Sequence, residues 1–493
     1  MGIALGTRYC VAAIWLVALV NISATSADPI NNKPKTISRN IQHTSDPKTP
    51  KIIHFQRRAV IPSTNIQSPQ VAQQETKQPQ HSTQALAKQV TTQASSKIPL
   101  TRHEQLLFSK AKRYFDQNWN ATTGLIDSVQ GYSHTTMWDV ASGIAGLLAL
   151  EALSENSKQI TEFRLEKMLN TLIDLPLYKQ LLPNRQYNTR TARPSGKFSH
   201  TASNGNGWSA LDLGRLYIWL EILARHKPLL APKINQVKSK WLLKHAVHQG
   251  NLYGTKLTSK REYFRQEGRL GYLQYAATGY QLAGLNVEAA FKCDNLENVE
   301  LNSVNLLIDK GNLPFFTLDP YLLYAIEIGN QQSCWNQLDA LYQVHQVQAE
   351  IHNKLTAYAE DSLSKTPWFL YNNISYQGVA WQSVSHSGKS VSYPQTFSNK
   401  AAYAMSVLFN SPYSRSLAEL VISNSARHNV VPTGLYANGK TNTAYNINTN
   451  SLILVSLWYK ARNKKAILLP LEQHPDGDGE GAVALSTQAS LNK

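Results

Sequence analysis

What most limits the fold of this chain is a succession of helical runs, with apolar residues every three or four positions, split by unusually long loops. Residues 136–153 carry Val140, Ile144, Leu147, Leu148 and Leu153 along one side, while Ala141, Gly143, Ala145 and Gly146 let a neighbouring helix approach closely. Further helical runs cover 103–116, 160–172, 208–224, 228–248, 269–285, 320–328, 335–349, 398–408, 414–423 and 448–460. Short stretches such as 368–374 suit strands. Loops of roughly ten to thirty residues between helices are usually functional in a compact domain. A series of helix pairs with its loops gathered at one end predicts an all-α fold, an (α/α) toroid or barrel of helical hairpins with a site at the loop-rich mouth.

The two ends read differently. Residues 1–27 resemble a secretory signal: Arg8 supplies the charge, Tyr9 to Val20 the apolar stretch, and Thr25-Ser26-Ala27 a small-residue cleavage site. That places the protein in the periplasm or outside the cell, an uncleaved anchor being the alternative. Residues 28–99 form a Gln/Thr/Ser/Pro-rich linker expected to be disordered, residues 100–466 the helical domain, and residues 467–493 a flexible tail. The chain carries a net charge of +17, but between Asp28 and Ile98 ten Lys/Arg face three Asp/Glu, so much of the excess sits on the linker. With no basic stripe or nucleic-acid module in the body, no specific nucleic-acid partner is expected. The linker suits weak electrostatic contact with an anionic envelope surface. After removal of Cys10 with the signal, Cys293 and Cys334 are left to pair or stay free.

Charged residues are only 16% of the chain, so the acids worth weighing are few. Glu267 stands in Gln266-Glu267-Gly268-Arg269-Leu270-Gly271-Tyr272, at the mouth of the 269–285 run, where it either works chemically or caps that helix. Asp139 follows Met137-Trp138, Asp212 follows Trp208-Ser209-Ala210-Leu211, and Glu360-Asp361 follow Tyr358-Ala359. Acids beside aromatic rings are what sugar chemistry needs: apolar sugar faces stack on rings, one carboxyl protonates the leaving oxygen, and a second carboxylate activates water or attacks. The competing explanation is capping, or ion pairing with Arg215 or Arg269. Gly-Arg pairs after both Asp212 and Glu267 favour such scaffolding for the two arginines.

Other chemistries fit poorly. The chain lacks a Gly-rich phosphate loop, a G-x-S-x-G elbow and a His-Glu-x-x-His motif. His245 and His248 lack a third ligand nearby, and Asp476-Gly477-Asp478 opens like a calcium loop but has Thr487 at its twelfth position. Neither a metal nor a cofactor is expected.

Several motifs resemble the bacterial family known as domain of unknown function 3131. They are Thr136-Met137-Trp138-Asp139, Leu182-Pro183-Asn184-Arg185 with Tyr187-Asn188-Thr189-Arg190, Gly207-Trp208-Ser209-Ala210-Leu211-Asp212-Leu213-Gly214-Arg215, Gln266-Glu267-Gly268-Arg269-Leu270-Gly271-Tyr272, Ser398-x-Lys400-Ala401-Ala402 and Asn448-Thr449-Asn450. The likeness spans about residues 104–463. It implies kinship with glucoamylase-like toroids that include β-1,2-glucan-processing enzymes. The chain departs from that family's pattern at Leu273 and Ala437, where acids are expected.

The expectation is an exported glycoside hydrolase or transglycosylase acting on a glucan or other polysaccharide. Glu267 would be the general acid, Asp139 or Glu360 its carboxylate partner, and Asp212 an alternate; Trp138, Trp208, Tyr272, Arg269 and Asp361 would bind substrate. The alternative is a non-catalytic polysaccharide-binding or envelope-assembly protein on the same fold, motivated by the two departures.

Overall fold

The computed structural model describes residues 98–469, apart from 155, 156, 197, 312–314 and 386. The expected signal, the linker up to residue 97 and the tail from residue 470 lie outside the described residues. The helices are α1 (Arg102–Asn118), α2 (Met137–Leu153), α3 (Lys158–Asp174), α4 (Ala210–His226), α5 (Ala231–Lys240), α6 (Tyr272–Leu282), α7 (Asp319–Glu327), α8 (Leu338–His352), α9 (Asn399–Leu408), α10 (Pro412–Ala426) and α11 (Ile447–Ala461).

Six of them close a ring. Helix α2 packs on α4, α4 on α6, α6 on α7, α7 on α9, α9 on α11, and α11 returns to α2. Helices α1, α3 and α10 back onto α11, α2 and α9, and α5 packs against α3. The sequence explains the two roles: α2, α4 and α11 are buried on nearly every side, whereas α1, α3 and α5 bury one stripe each.

Three of the ring helices, α2, α4 and α11, begin with N-cap side chains that satisfy orphan amides. Thr136 and Asp139 form a reciprocal capping box on α2, Ser209 accepts from the Asp212 amide on α4, and Asn446 accepts from the Thr449 amide on α11. Between α4 and α6 the backbones nearly touch. A Cβ placed on Gly214 would lie 2.3 Å from the carbonyl oxygen of Ala276, so this contact admits no side chain at that position.

The all-α expectation is corrected by the loops, which carry six small antiparallel sheets of two or three strands among the described residues. The expected strand near 368–374 is Phe369–Tyr376, paired with Val379–Val384 and Glu360–Ser362. Another hairpin joins Asn251–Leu257 to Glu262–Gln266. Alternation in these stretches is short and interrupted by polar residues, so helical periodicity dominates the sequence. The 228–248 run is broken at Trp241, where α5 ends and a short 3-10 turn follows. Helix α6 starts later than expected, because Gly268 and Gly271 adopt φ of +81° and +90°, outside the right-handed helical region.

Cys293 and Cys334 are joined by a disulfide. Packing continues past the expected end of the domain: Ile467 is fully buried, its amide donates to Ile326 (3.0 Å), and the Leu468 amide donates to Glu327 (2.8 Å). No helix among the described residues is long and apolar enough to cross a membrane. Replacing Gly214 by Ala should lower folding stability by about 1–3 kcal/mol through forced overpacking, read as a reduced thermal midpoint.

Candidate active site

A cavity of about 1420 Å³ opens where the N-terminal ends of α2, α4, α6 and α11 meet the loop hairpins. It exceeds the range of about 300–1,000 Å³ typical of small-ligand pockets and suits an extended chain. Asp139, Asp212, Glu267 and Glu360 all line it, together with Trp138, Tyr272, Arg269, Arg185, Tyr371, Trp368 and Asn448. Four carboxylates from distant parts of the sequence therefore share one space.

Glu267 is held from two sides. Its Oε2 accepts the Ala210 amide at 2.6 Å, and its Oε1 is ion-paired with Arg185. The capping alternative thus holds in an unforeseen form: Glu267 caps α4 rather than the helix that follows it. Its cation is Arg185, neither Arg215 nor Arg269. Gly254 makes room for this carboxylate, since a Cβ there would lie 2.2 Å from the Glu267 carboxyl carbon. Both partners donate to Glu267, a pattern suited to a base or an anchor and poorly suited to a proton donor.

Asp139 and Asp212 sit in the first turns of α2 and α4, where the helix dipole favours negative charge. Asp139 accepts from the Thr136 amide (3.1 Å) and hydroxyl (2.9 Å) on one oxygen and from the Asn448 amide group (3.0 Å) on the other. Burial raises its pKa above the ordinary aspartate range, against those hydrogen bonds and the nearby Arg215. Asp212 accepts the Ser209 hydroxyl at 2.9 Å. Burial pushes its carboxyl up to about 7, opposed by Ser209 and reinforced by the charge of Glu267.

Glu360 borders a buried cluster that the sequence did not reveal. Lys400 Nζ lies 2.6 Å from Asp319 and 3.7 Å from Asp361, and donates to the Glu360 carbonyl at 2.7 Å. The Glu360 amide donates to Asp319 at 2.9 Å. The Tyr272 hydroxyl lies 3.2 Å from that of Thr317, which donates to Asp319. Asp319 and Asp361 share one buried ammonium, and the half-buried Glu360 borders them on the cavity side, so the cluster's negative charge is only partly neutralised. Burial and then the charge of Asp319 push Glu360 up to about 8, against Lys400 and the Tyr272 hydroxyl. Burial also lifts Asp361 up to about 7, against Lys400, while the three acids hold Lys400 above its usual range despite burial.

Among the expected sugar-binding residues, Trp138 and Tyr272 line the cavity with ring centroids 5.9 Å apart. Arg269 also lines it, its guanidinium donating to the Gly268 carbonyl. Trp208 does not: it is buried, and its indole N–H donates to the Tyr253 carbonyl at 3.0 Å. Asp361 is also buried away from the cavity, accepting from Gln395 at 2.6 Å. Arg215 is scaffold, lying 4.6 Å over the Trp138 ring and 3.6 Å from buried Glu327.

Sequence reasoning gave no role to Arg185, Asn448, Tyr371 or Trp368. Tyr371 pairs with Glu360 across the strands, and burial followed by the charges of Glu360, Asp212, Asp319 and Glu267 raises its phenol. Trp368 is 63% exposed at the rim, with φ of +70°. Tyr132, also on the cavity wall, stacks on His134 at 4.3 Å. An exposed indole beside a cavity was detectable only as an aromatic-rich segment. The two departures from the family pattern lie elsewhere: Leu273 packs in the core and Ala437 sits on an exposed turn, so neither removes an acid from the cavity. His245 and His248 occupy a 3-10 turn and a strand, not one helix. Among the described residues, no group of three or more His, Cys, Asp or Glu is placed to hold a metal ion.

The closed helical ring is similar to several solved structures. A candidate glucoamylase from Bacteroides caccae aligns with a TM-score of 0.54 and 11% identity, over 74% of this chain and 97% of that one. A candidate glucoamylase from Bacteroides fragilis aligns with a TM-score of 0.54 and 14% identity, over 75% and 96%. An endo-β-1,2-glucanase from Chitinophaga pinensis, solved with sophorotriose and glucose, aligns with a TM-score of 0.53 and 10% identity, over 75% and 97%. These neighbours are glucoamylase-like (α/α) toroids. No curated protein matches the sequence. The pattern of the family described as protein of unknown function (DUF3131) covers residues 108–463, most of the chain, and the protein belongs to that family.

Proposed function

We propose that the protein is a glycoside hydrolase acting on a β-glucan, with β-1,2-linked chains the first substrate to test. The observation that carries this reading is the convergence of four carboxylates, with Trp138, Tyr272 and Trp368, in a cavity large enough for several sugar rings. Fold likeness to enzymes named as glucanases and candidate glucoamylases supports it.

The roles expected from the sequence are exchanged. Glu360, pushed up to about 8, carries the proton for the departing oxygen, and Glu267, held by Arg185 and the Ala210 amide, is the carboxylate partner. Asp212, up to about 7, is the alternate acid, and Asp139 lines the floor. Trp138, Tyr272 and Trp368 are the stacking surfaces, and Arg269 donates to sugar hydroxyls.

Product analysis on a panel of β-glucans should reveal shortened oligosaccharides. Glu360→Gln and Glu267→Gln should each slow their release by about 10²- to 10⁴-fold. Unchanged turnover in Glu267→Gln would remove that residue from the chemistry. Glycan binding without turnover by the unaltered protein would favour the non-catalytic alternative.

The rate should fall as pH rises through about 8, where Glu360 loses its proton. The same raised value means that the folded chain binds a proton the unfolded chain has released. Its contribution to stability is therefore full below pH 4.5 and lost towards pH 8. Glu360→Gln should remove that part of the slope in a pH series of denaturation curves.

Export is part of the proposal, resting on residues 1–27. The mature chain recovered from the periplasm or medium should begin at Asp28 by N-terminal sequencing; a chain retaining Met1 in the membrane fraction would support the anchor instead.

A further inference from the structure

Four acids and four basic side chains line the cavity, but the two sets are partnered unequally. Each carboxylate is met within the protein: Asp139 by Thr136 and Asn448, Asp212 by Ser209, Glu267 by Arg185 and Ala210, and Glu360 by Tyr272. The cations are not matched in the same way. Lys256 and Arg265 both line the cavity, both are exposed, and neither makes an ion pair among the described residues. Among the described residues Arg269 makes one ion pair, a long one to Asp309 at 4.0 Å.

The hairpin explains why these cations stand together. In the Asn251–Leu257 and Glu262–Gln266 pair, Gly254 is opposite Arg265 and Lys256 opposite Tyr263, and opposed residues share one face of a sheet. Arg265 and Glu267, two positions apart, also fall on that face. On the opposite face Phe264 packs against Tyr253 and Trp208. One wall of the cavity therefore presents unpaired cations in a row leading out from Glu267. A neutral sugar chain offers them hydroxyls but no counter-charge, whereas a chain bearing carboxylate or phosphate groups supplies one.

We infer that this wall is a subsite for an anionic substituent, and that the preferred substrate is a negatively charged glycan rather than a neutral glucan. The inference rests on the proposed glycan-active cavity and adds the charge of the occupant.

The test uses a matched pair of probes: β-1,2-linked gluco-oligosaccharides, and the same chains with their primary hydroxyls oxidised to carboxylates. Calorimetric titration should give about tenfold tighter binding of the oxidised chains at low salt, the advantage shrinking as salt is raised. In a Lys256→Ser, Arg265→Ser double variant the two affinities should converge to within about twofold, whereas Lys256→Arg, Arg265→Lys should keep the difference. Equal affinities of the unaltered protein for the neutral, carboxylate-bearing and phosphate-bearing chains, or a preference that survives the double Ser replacement, would overturn the subsite. A phosphate-bearing oligosaccharide of the same length, run in parallel, separates the two kinds of anion: preference for it alone assigns the wall to phosphate. Failure of every probe to bind would instead overturn the underlying glucan reading, and the subsite with it.

Discussion

The carboxylate of Glu267 is the joint on which the mouth of this ring depends. One oxygen takes the first orphan amide of α4, the other takes Arg185 from a segment eighty-two residues away in sequence. The side chain fits there because Gly254 leaves its place empty. Three pieces of chain that share no local sequence are thereby fixed relative to the start of α4. Hydrogen bonds to a charged group are worth more than neutral ones, and leaving one partner buried and unmatched costs more still. The positions of Asp212 and of the hairpin wall both follow from this anchorage.

The ring and its mouth use the same physics for different ends. Helix N-termini need acceptors, supplied by Thr136 and Asp139 at α2 and by Ser209 and Glu267 at α4, and the helix dipole favours the acids Asp139 and Asp212 in the first turns. Bringing several such ends to one place concentrates carboxyls, and concentrating carboxyls under partial burial makes some of them keep their protons. Lys400 limits that effect by neutralising part of the charge behind Glu360. Helix starts supply Asp139 and Asp212, while Glu360 opens a strand and Glu267 follows the hairpin, so the cavity draws its carboxyls from both kinds of element.

The helices were legible because their apolar period is long and sustained; α2, α4, α9 and α11 lie within two residues of where the pattern puts them. The small sheets were not, because strands such as Glu360–Ser362 are too short to display a period. The acids Asp139, Asp212, Glu267 and Glu360 were legible as acids next to aromatics, and all four line the same cavity. Their partners were not: Arg185, Asn448 and Lys400 act across long sequence separations, where spacing carries no information. Trp208 misled because a tryptophan beside an acid looks the same in sequence whether its ring faces the cavity or, as here, packs behind the hairpin.

The family pattern ends at residue 463, yet the chain goes on to lay Ile467 and Leu468 along the end of α7. Leu468 bonds to the carbonyl of Glu327, whose carboxylate faces Arg215, and Arg215 in turn lies over Trp138 on the cavity wall. A chain cut at the family boundary would therefore wet the far side of the ring and loosen a stacking surface at its mouth. The last few packed residues work as a keystone, and an inactive shortened protein would say little about the chemistry of its acids.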